Sequence, residues 1–216
     1  RCVELIRDSA KAGADAIKLQ TVDAGKCYAP ATESYDIFLN SALSEVETAN
    51  MFQLARDCGV EAFTTSGDLQ TLEWVDRLNP VAHKISSGLL SCKPIVREAC
   101  KLNTPLLMST GMSDTAIIDQ SVEIVQRSGC KTSLFQSTSL YPCPQEKLNL
   151  RAIRGLIDRY NLPTGFSDHS LGVEMAPLAV AAGARLVEKH VTFDKDRYGF
   201  DHSISLLKDD FARMVN

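Results

Sequence analysis

The chain lacks any run near the roughly 20 consecutive apolar residues that a membrane-spanning helix needs. Its opening, Arg1-Cys2-Val3-Glu4, carries no secretory signal pattern. It also lacks a cluster of Lys and Arg: 23 basic and 27 acidic residues are scattered, the net charge is −4, and no electrostatic footprint for a nucleic-acid backbone exists. The seven cysteines form no CxxC pair and fall mostly inside helix-like or strand-like runs. That excludes a disulfide framework or a zinc cluster and points to reduced thiols in a cytoplasm. No repeat, low-complexity tract or linker-like change of composition divides the chain. What is present is ordinary for a globular protein: 216 residues, 44% hydrophobic and 23% charged, enough for one domain with a substantial core. The start on Arg1 instead of methionine suggests a processed or truncated chain.

Apolar periodicity alternates between helical and strand-like along the whole length. Helices are expected over Cys2 to Gly13, Ser44 to Cys58, Leu69 to Leu78, Pro94 to Leu102, Thr115 to Ser128, Leu150 to Tyr160, Ala176 to Gly183 and Lys208 to Asn216. Strands are expected over Asp15 to Gln20, Val60 to Thr65, Ala82 to Ser86, Pro105 to Thr110, Thr132 to Ser137, Pro163 to Asp168 and Arg185 to Thr192, with a polar loop after Gln20. Strand and helix in alternation specify parallel pairing. Seven strands and eight helices fit an α/β protein with a (β/α)₈ TIM barrel lacking its first strand, since a helix leads. A doubly wound sheet is the competing architecture, but no GxGxxG turn is present. Asp23-Ala24-Gly25-Lys26 resembles the end of a phosphate loop, yet Gln20 stands where that motif requires glycine.

Strand ends at one rim are where barrel enzymes keep their reacting groups. Here those ends read Lys18 and Gln20, Thr64 and Thr65, Lys84 with Ser86 and Ser87, Ser109 and Thr110, Ser137 to Tyr141 including Ser139, Ser167 to His169, and Glu188 to His190. Two lysines interleaved with hydroxyls suit a phosphorylated anion. Gly88 and Gly111 would let the backbone approach it closely. Strand alternation puts His169 in phase with Gly165 and Ser167, and His190 in phase with Leu186 and Glu188, so two imidazoles are aimed into one space. A histidine pair of this kind can ligate a divalent cation while leaving positions open. Lys18 or Lys84 as a Schiff-base lysine is the alternative chemistry.

The stretches Ala16-Ile17-Lys18-Leu19-Gln20-Thr21, Lys84-Ile85-Ser86-Ser87-Gly88, Met108-Ser109-Thr110-Gly111-Met112, Tyr141-Pro142, Gly165-Phe166-Ser167-Asp168-His169-Ser170-Leu171-Gly172, Glu188-Lys189-His190 and Asp201-His202 occur in order. Together they resemble the sialic acid synthase (NeuB) family over nearly the whole chain. The resemblance implies a metal-dependent barrel enzyme that condenses phosphoenolpyruvate with the open-chain aldehyde of an N-acetylated aminosugar of the N-acetylmannosamine type, releasing phosphate. It makes His169 and His190 ligands of a manganese-like ion, with Mg²⁺ or Co²⁺ as substitutes. Lys18, Thr65, Lys84, Ser87, Ser109, Ser139 and Ser167 become the phosphoenolpyruvate set, and Tyr141 and Asp201 face the sugar. It also implies a homodimer, and a barrel domain over residues 1–216 that lacks both its first strand and the family's C-terminal antifreeze-like domain.

Four positions depart from the family pattern. Leu89 stands where an acidic residue usually follows the Ser-Gly of the fourth barrel strand, Gln136-Ser137 replaces a His-Cys pair, and Phe200 replaces a proline before Asp201-His202. A carboxylate at position 89 would help place the attacking water. Its replacement opens a second reading, a degenerate homologue that binds sugar or phosphoenolpyruvate without turnover. A lysine-dependent aldolase is the third.

Overall fold

In the computed structural model, which describes residues 1–216, seven strands run parallel in one sheet in strict sequence order. They are β1 (Ala16–Thr21), β2 (Glu61–Ser66), β3 (His83–Ile85), β4 (Leu106–Ser109), β5 (Thr132–Ser137), β6 (Thr164–Asp168) and β7 (Val187–Lys189). Helices α1 (Cys2–Lys11), α2 (Ala24–Cys27), α3 (Glu33–Ser41), α4 (Glu45–Asp57) and α5 (Leu69–Asp76) accompany the first half. Helices α6 (Lys93–Ala99), α7 (Thr115–Ser128), α8 (Arg151–Tyr160), α9 (Met175–Ala181) and α10 (Lys208–Val215) accompany the second. The sequential order removes the doubly wound alternative, whose strand order reverses at a switch point.

The sheet curls into a TIM-barrel-like half-cylinder but does not close, because β1 and β7 pair with no common neighbour. A cleft of about 1640 Å³ runs along the gap between them, lined among others by Ile6, Ile17, Val180, Leu186 and Met214. Near the mouth the free edge of β7 is blunted by the chain at Leu206. Its N–H donates to the His190 carbonyl (2.8 Å), and its own carbonyl accepts from the Thr192 N–H (2.9 Å). None of the helices is long and apolar enough to cross a membrane.

The two faces of the sheet do different work. On the outer face Ile85, Leu106, Met108 and Leu134 join Ile95, Val96, Ala99, Ile118, Val122 and Val125 of α6 and α7 in the largest buried cluster. Burying such side chains supplies most of the favourable free energy, about 2 to 3 kcal/mol each. The inner face is polar, and the parallel register puts Thr65 opposite Lys84, Ser109 opposite Phe135, Ser137 opposite Ser167 and Ser167 opposite Glu188.

Helix termini follow their local chemistry. Ser44 and Glu47 form a capping box on α4, Asp114 caps α7, and Gly129 ends α7 in the left-handed conformation at φ 71°. The polar loop expected after Gln20 instead holds α2 and α3. Thr32 Oγ1 accepts from the Tyr35 N–H at the start of α3, and Tyr28 stacks on Phe38 at 5.0 Å. No residue of α3 is buried, so no apolar stripe advertised it. The strand expected over Arg185 to Thr192 narrows to Val187–Lys189, with Val191 only bridging to Leu206. Short 3₁₀ turns at Ser87–Leu89, Gln145–Lys147 and His202–Ile204 were also not foreseen.

Candidate active site

Alternation along the strands turns Lys18, Lys84, Ser167 and Glu188 into the cylinder, where Glu188 joins the other three. Its Oε1 receives Lys18 Nζ at 2.7 Å and the Ser167 hydroxyl at 2.9 Å, and its Oε2 receives Lys84 Nζ at 2.9 Å. Lys84 is 2% exposed, and its Nζ lies 3.8 Å from the centre of the Phe135 ring. Burial pushes the Lys84 ammonium down to about 8, with the Glu188 carboxylate opposing that fall. Burial works against the Glu188 carboxylate too, yet the charges of Lys18 and Lys84 overcome it and hold the group well below the usual carboxylate range.

Beside this clamp stand the two histidines, their ring centres 5.7 Å apart. His169 Nδ1 lies 2.8 Å from the Thr138 carbonyl, which can only accept, so the proton is on Nδ1 and the Nε2 lone pair is free to accept from the Tyr141 hydroxyl at 3.0 Å. Tyr141 stacks on His169 at 4.2 Å, with its edge towards His190 at 6.3 Å. His190 Nδ1 is 3.5 Å from Asp201 Oδ2. Burial lowers both imidazoles, His190 to about 4 against the pull of Asp201, so both are neutral at pH 7. Tyr141 is raised by burial and by the charges of Asp201 and Glu188, so it keeps its proton.

Neutral imidazoles, each oriented by an acceptor on its other nitrogen or close to it, are the form in which histidine ligates a metal. These two residues therefore fit a divalent cation. No third His, Cys, Asp or Glu completes a cluster with them.

A third group lies across the mouth. Ser87 Oγ is 3.1 Å from Ser137 Oγ and accepts from the Gly111 N–H at 3.1 Å. A Cβ on Gly111 would collide with Ser137 Oγ and sit 3.0 Å from both Ser139 Oγ and the Ser137 carbonyl, so the close approach requires glycine here. At Gly88 only Met112 Sδ, at 3.8 Å, would meet such a Cβ, and no comparable constraint exists. Thr65 and Ser109 are buried on the same inner face.

The structure thus gathers Lys18, Lys84 and Ser167 through Glu188. It brings His169, His190, Tyr141 and Asp201 together, and Ser87 with Ser139 near Gly111. Glu188 was visible in sequence only as a strand-end residue; its phase with His190 was the signal that it faces the same space. Phe135 and Ser137 were findable in the same way. Asp168, the carboxylate next to His169, points to the opposite face and pairs with Lys189 at 2.8 Å, both side chains fully buried. Leu89 packs against the outer core cluster, and Gln136 donates outward to the Leu148 carbonyl at 3.1 Å.

The model of the NeuB family matches residues 5–216. The chain belongs to that family. It is 37% identical over 214 residues to an uncharacterized protein of Methanocaldococcus jannaschii, covering 99% of this chain and 64% of the relative. It is 30% identical over 220 residues to the N,N'-diacetyllegionaminic acid synthase of Campylobacter jejuni, covering 94% of this chain and 66% of that enzyme. The chain thus spans just under two thirds of these relatives. The N-acetylneuraminic acid synthetase of Leptospira borgpetersenii, solved with citrate, superposes with a TM-score of 0.96 at 27% identity, over 99% of this chain and 75% of that one. A truncated 3-deoxy-D-arabino-heptulosonate 7-phosphate synthase of Thermotoga maritima shares the fold alone, with a TM-score of 0.79 at 17% identity. This NeuB chain therefore has the fold of a sialic acid synthase-like protein.

Proposed function

We propose that the protein condenses phosphoenolpyruvate with the open-chain aldehyde of an N-acetylated aminosugar to give a nonulosonic acid and phosphate. The observation that carries this reading is the juxtaposition of the Lys18–Glu188–Lys84 clamp with the neutral His169–His190 pair in one cavity. Ammonium groups and the hydroxyls of Thr65, Ser87, Ser109, Ser139 and Ser167 suit the phosphate and carboxylate of phosphoenolpyruvate. His169 and His190 would hold a divalent ion of the manganese type, which when bound supplies Lewis-acid polarisation of a carbonyl. Tyr141 and Asp201, flanking the histidines, are positioned for the sugar, and the Tyr141 hydroxyl retains a proton to donate to an oxygen there. In this reaction C3 of phosphoenolpyruvate bonds to the aldehyde carbon, water adds at C2, and the C2–O bond to phosphate breaks, so that one water is consumed per phosphate released. A cytoplasmic homodimer belongs to the same reading.

Leu89 supports a second reading, sugar or phosphoenolpyruvate binding without turnover. Its side chain is spent in the outer core, and no carboxylate replaces it at that strand end. The lowered Lys84 supports a third, a Schiff-base aldolase. Phosphate release measured with phosphoenolpyruvate, Mn²⁺ and a panel of N-acetylated hexoses separates them. Turnover that disappears with chelator and in His169→Ala and His190→Ala is the expected result. Turnover that persists undiminished in the chelated wild type and in these variants refutes the metal-dependent synthase. Tight phosphoenolpyruvate binding with no release favours the second reading, and borohydride trapping on Lys18 or Lys84 favours the third.

A further inference from the structure

One buried aromatic ring takes no part in the apolar core. Phe135 is 3% exposed, yet it belongs to none of the three apolar clusters, whereas its neighbour Leu134 is in the largest. Alternation along β5 turns Phe135 inward, where the Lys84 Nζ of β3 lies 3.8 Å from its ring centre. The strand beside it is trimmed to admit the ring. Gly165 of β6 stands opposite Phe135 in the register, and a Cβ there would come within 2.7 Å of Phe135 Cε1 and 2.9 Å of the Leu186 carbonyl oxygen. The ammonium that meets this ring has one hydrogen-bond partner, Glu188 Oε2 at 2.9 Å, although it carries three donors. The charged groups that face it are Glu188 from β7 and Lys18 from β1.

We propose that Phe135 is a positioning residue whose ring face holds the Lys84 ammonium where phosphoenolpyruvate meets it, with Gly165 making room for the ring. The inference rests on the reading that Lys84 binds that anion. The face of a phenyl ring carries negative charge and attracts a desolvated ammonium most strongly where water is excluded. A ring accepts no conventional hydrogen bond, so it fixes the Nζ without using up the donors that Glu188 leaves free. A second carboxylate in its place would hold the lysine as well, but it would cancel the charge that draws an anion into the cavity and would compete with the ligand for those donors. A leucine of similar reach would fill the space and leave the ammonium against an apolar wall, which favours loss of its proton. The phenyl ring meets both requirements: it supports the cation and adds no net charge.

The test replaces the Phe135 ring in the full chain with its 4-fluoro, 3,5-difluoro and 3,4,5-trifluoro forms, which keep its shape while draining charge from its face. The first readout is the protonation midpoint of Lys84, from the NMR shift of its labelled Cε, assigned by the loss of that signal in Lys84→Met. It is taken without ligand, so it judges the ring even in a chain that binds no phosphoenolpyruvate. The second is phosphoenolpyruvate affinity by calorimetry at pH 6 and pH 9. The expected result is a midpoint that falls with each added fluorine, by about one pH unit for the trifluoro ring. Affinity should then fall by about tenfold at pH 9, where each unit of midpoint removes nine ammoniums in ten, and stay within about twofold at pH 6. Phe135→Leu, which loses the support as well as the charge of the face, should weaken binding by about tenfold at pH 6 too. A Lys84 midpoint that is flat across the fluorine series would overturn the proposal, as would undiminished phosphoenolpyruvate affinity in Phe135→Leu at pH 6.

Discussion

Lys84 should reveal itself as a group whose deprotonation strengthens the fold and weakens the site over the same pH range. The folded chain releases its proton near pH 8, whereas a lysine in the unfolded chain holds it to its ordinary value of 10.5. Between those limits the unfolded state binds more protons, so stability rises with pH. The gap of about 2.5 pH units, at about 1.4 kcal/mol each, gives about 3 kcal/mol for this 2%-exposed side chain. Urea unfolding of the wild type and of Lys84→Met, from pH 7 to pH 10.5, isolates the effect as a difference. That difference should be flat below pH 8 and then move by about 3 kcal/mol in favour of the wild type. Glu188 stays ionised throughout, since the two ammonium groups hold it well below the usual carboxylate range. Affinity for phosphoenolpyruvate, followed by calorimetry, should fall above pH 8 as the ammonium charge is lost, and should be weak in Lys84→Met at every pH. Parallel stability curves for the two proteins would refute the buried-lysine reasoning, and undiminished affinity at pH 10 would remove Lys84 from the anion site.

Asp168→Ala leaves Lys189 buried without its partner and strips the acceptor from the Ser170 N–H and hydroxyl. Urea unfolding should register a loss of about 3–5 kcal/mol, and a loss under about 1 kcal/mol would contradict the burial of that pair. Gly111→Ala drives a methyl into Ser137. It should cost about 1–3 kcal/mol in stability and weaken phosphoenolpyruvate binding through displaced Ser87 and Ser137 hydroxyls. Unchanged melting and unchanged affinity would show that the mouth has room the structure denies.

What the sequence disclosed followed from the strength of local signals. Apolar runs ending in polar residues marked all seven strands, and α7 was predicted over its full extent, Thr115 to Ser128, with Gly129 stopping it. The period of two then foretold that Lys18, Lys84, Ser167 and the histidines share an interior, since a continuous ladder of parallel partners propagates one residue's facing to the next. Helix α3 was invisible because it buries nothing. The pairing of Glu188 with both lysines spans more than a hundred residues and depends on the curl of the sheet, which no local pattern encodes. The same alternation that admitted Glu188 excluded Asp168, one of the two carboxylates that adjacency alone would have placed beside a histidine.

The arrangement of charge in the cavity explains how one pocket could receive two different reactants. Lys18 and Lys84 against Glu188 leave one positive charge on one side, while burial keeps both imidazoles of the other side neutral. An anion is therefore drawn to the lysines and a neutral carbonyl is not repelled from the histidines. Glu188 also solves a problem that the empty clamp would otherwise have. Two ammonium groups held this close in a buried site would repel each other, whereas a carboxylate between them opposes the loss of the Lys84 proton and fixes both side chains before any ligand arrives. An incoming phosphorylated anion then meets donors already desolvated and aimed. The cost of ordering them is borne by the folded chain and not by the binding step, which is the condition under which a few lysines and hydroxyls can hold a small, heavily hydrated ligand.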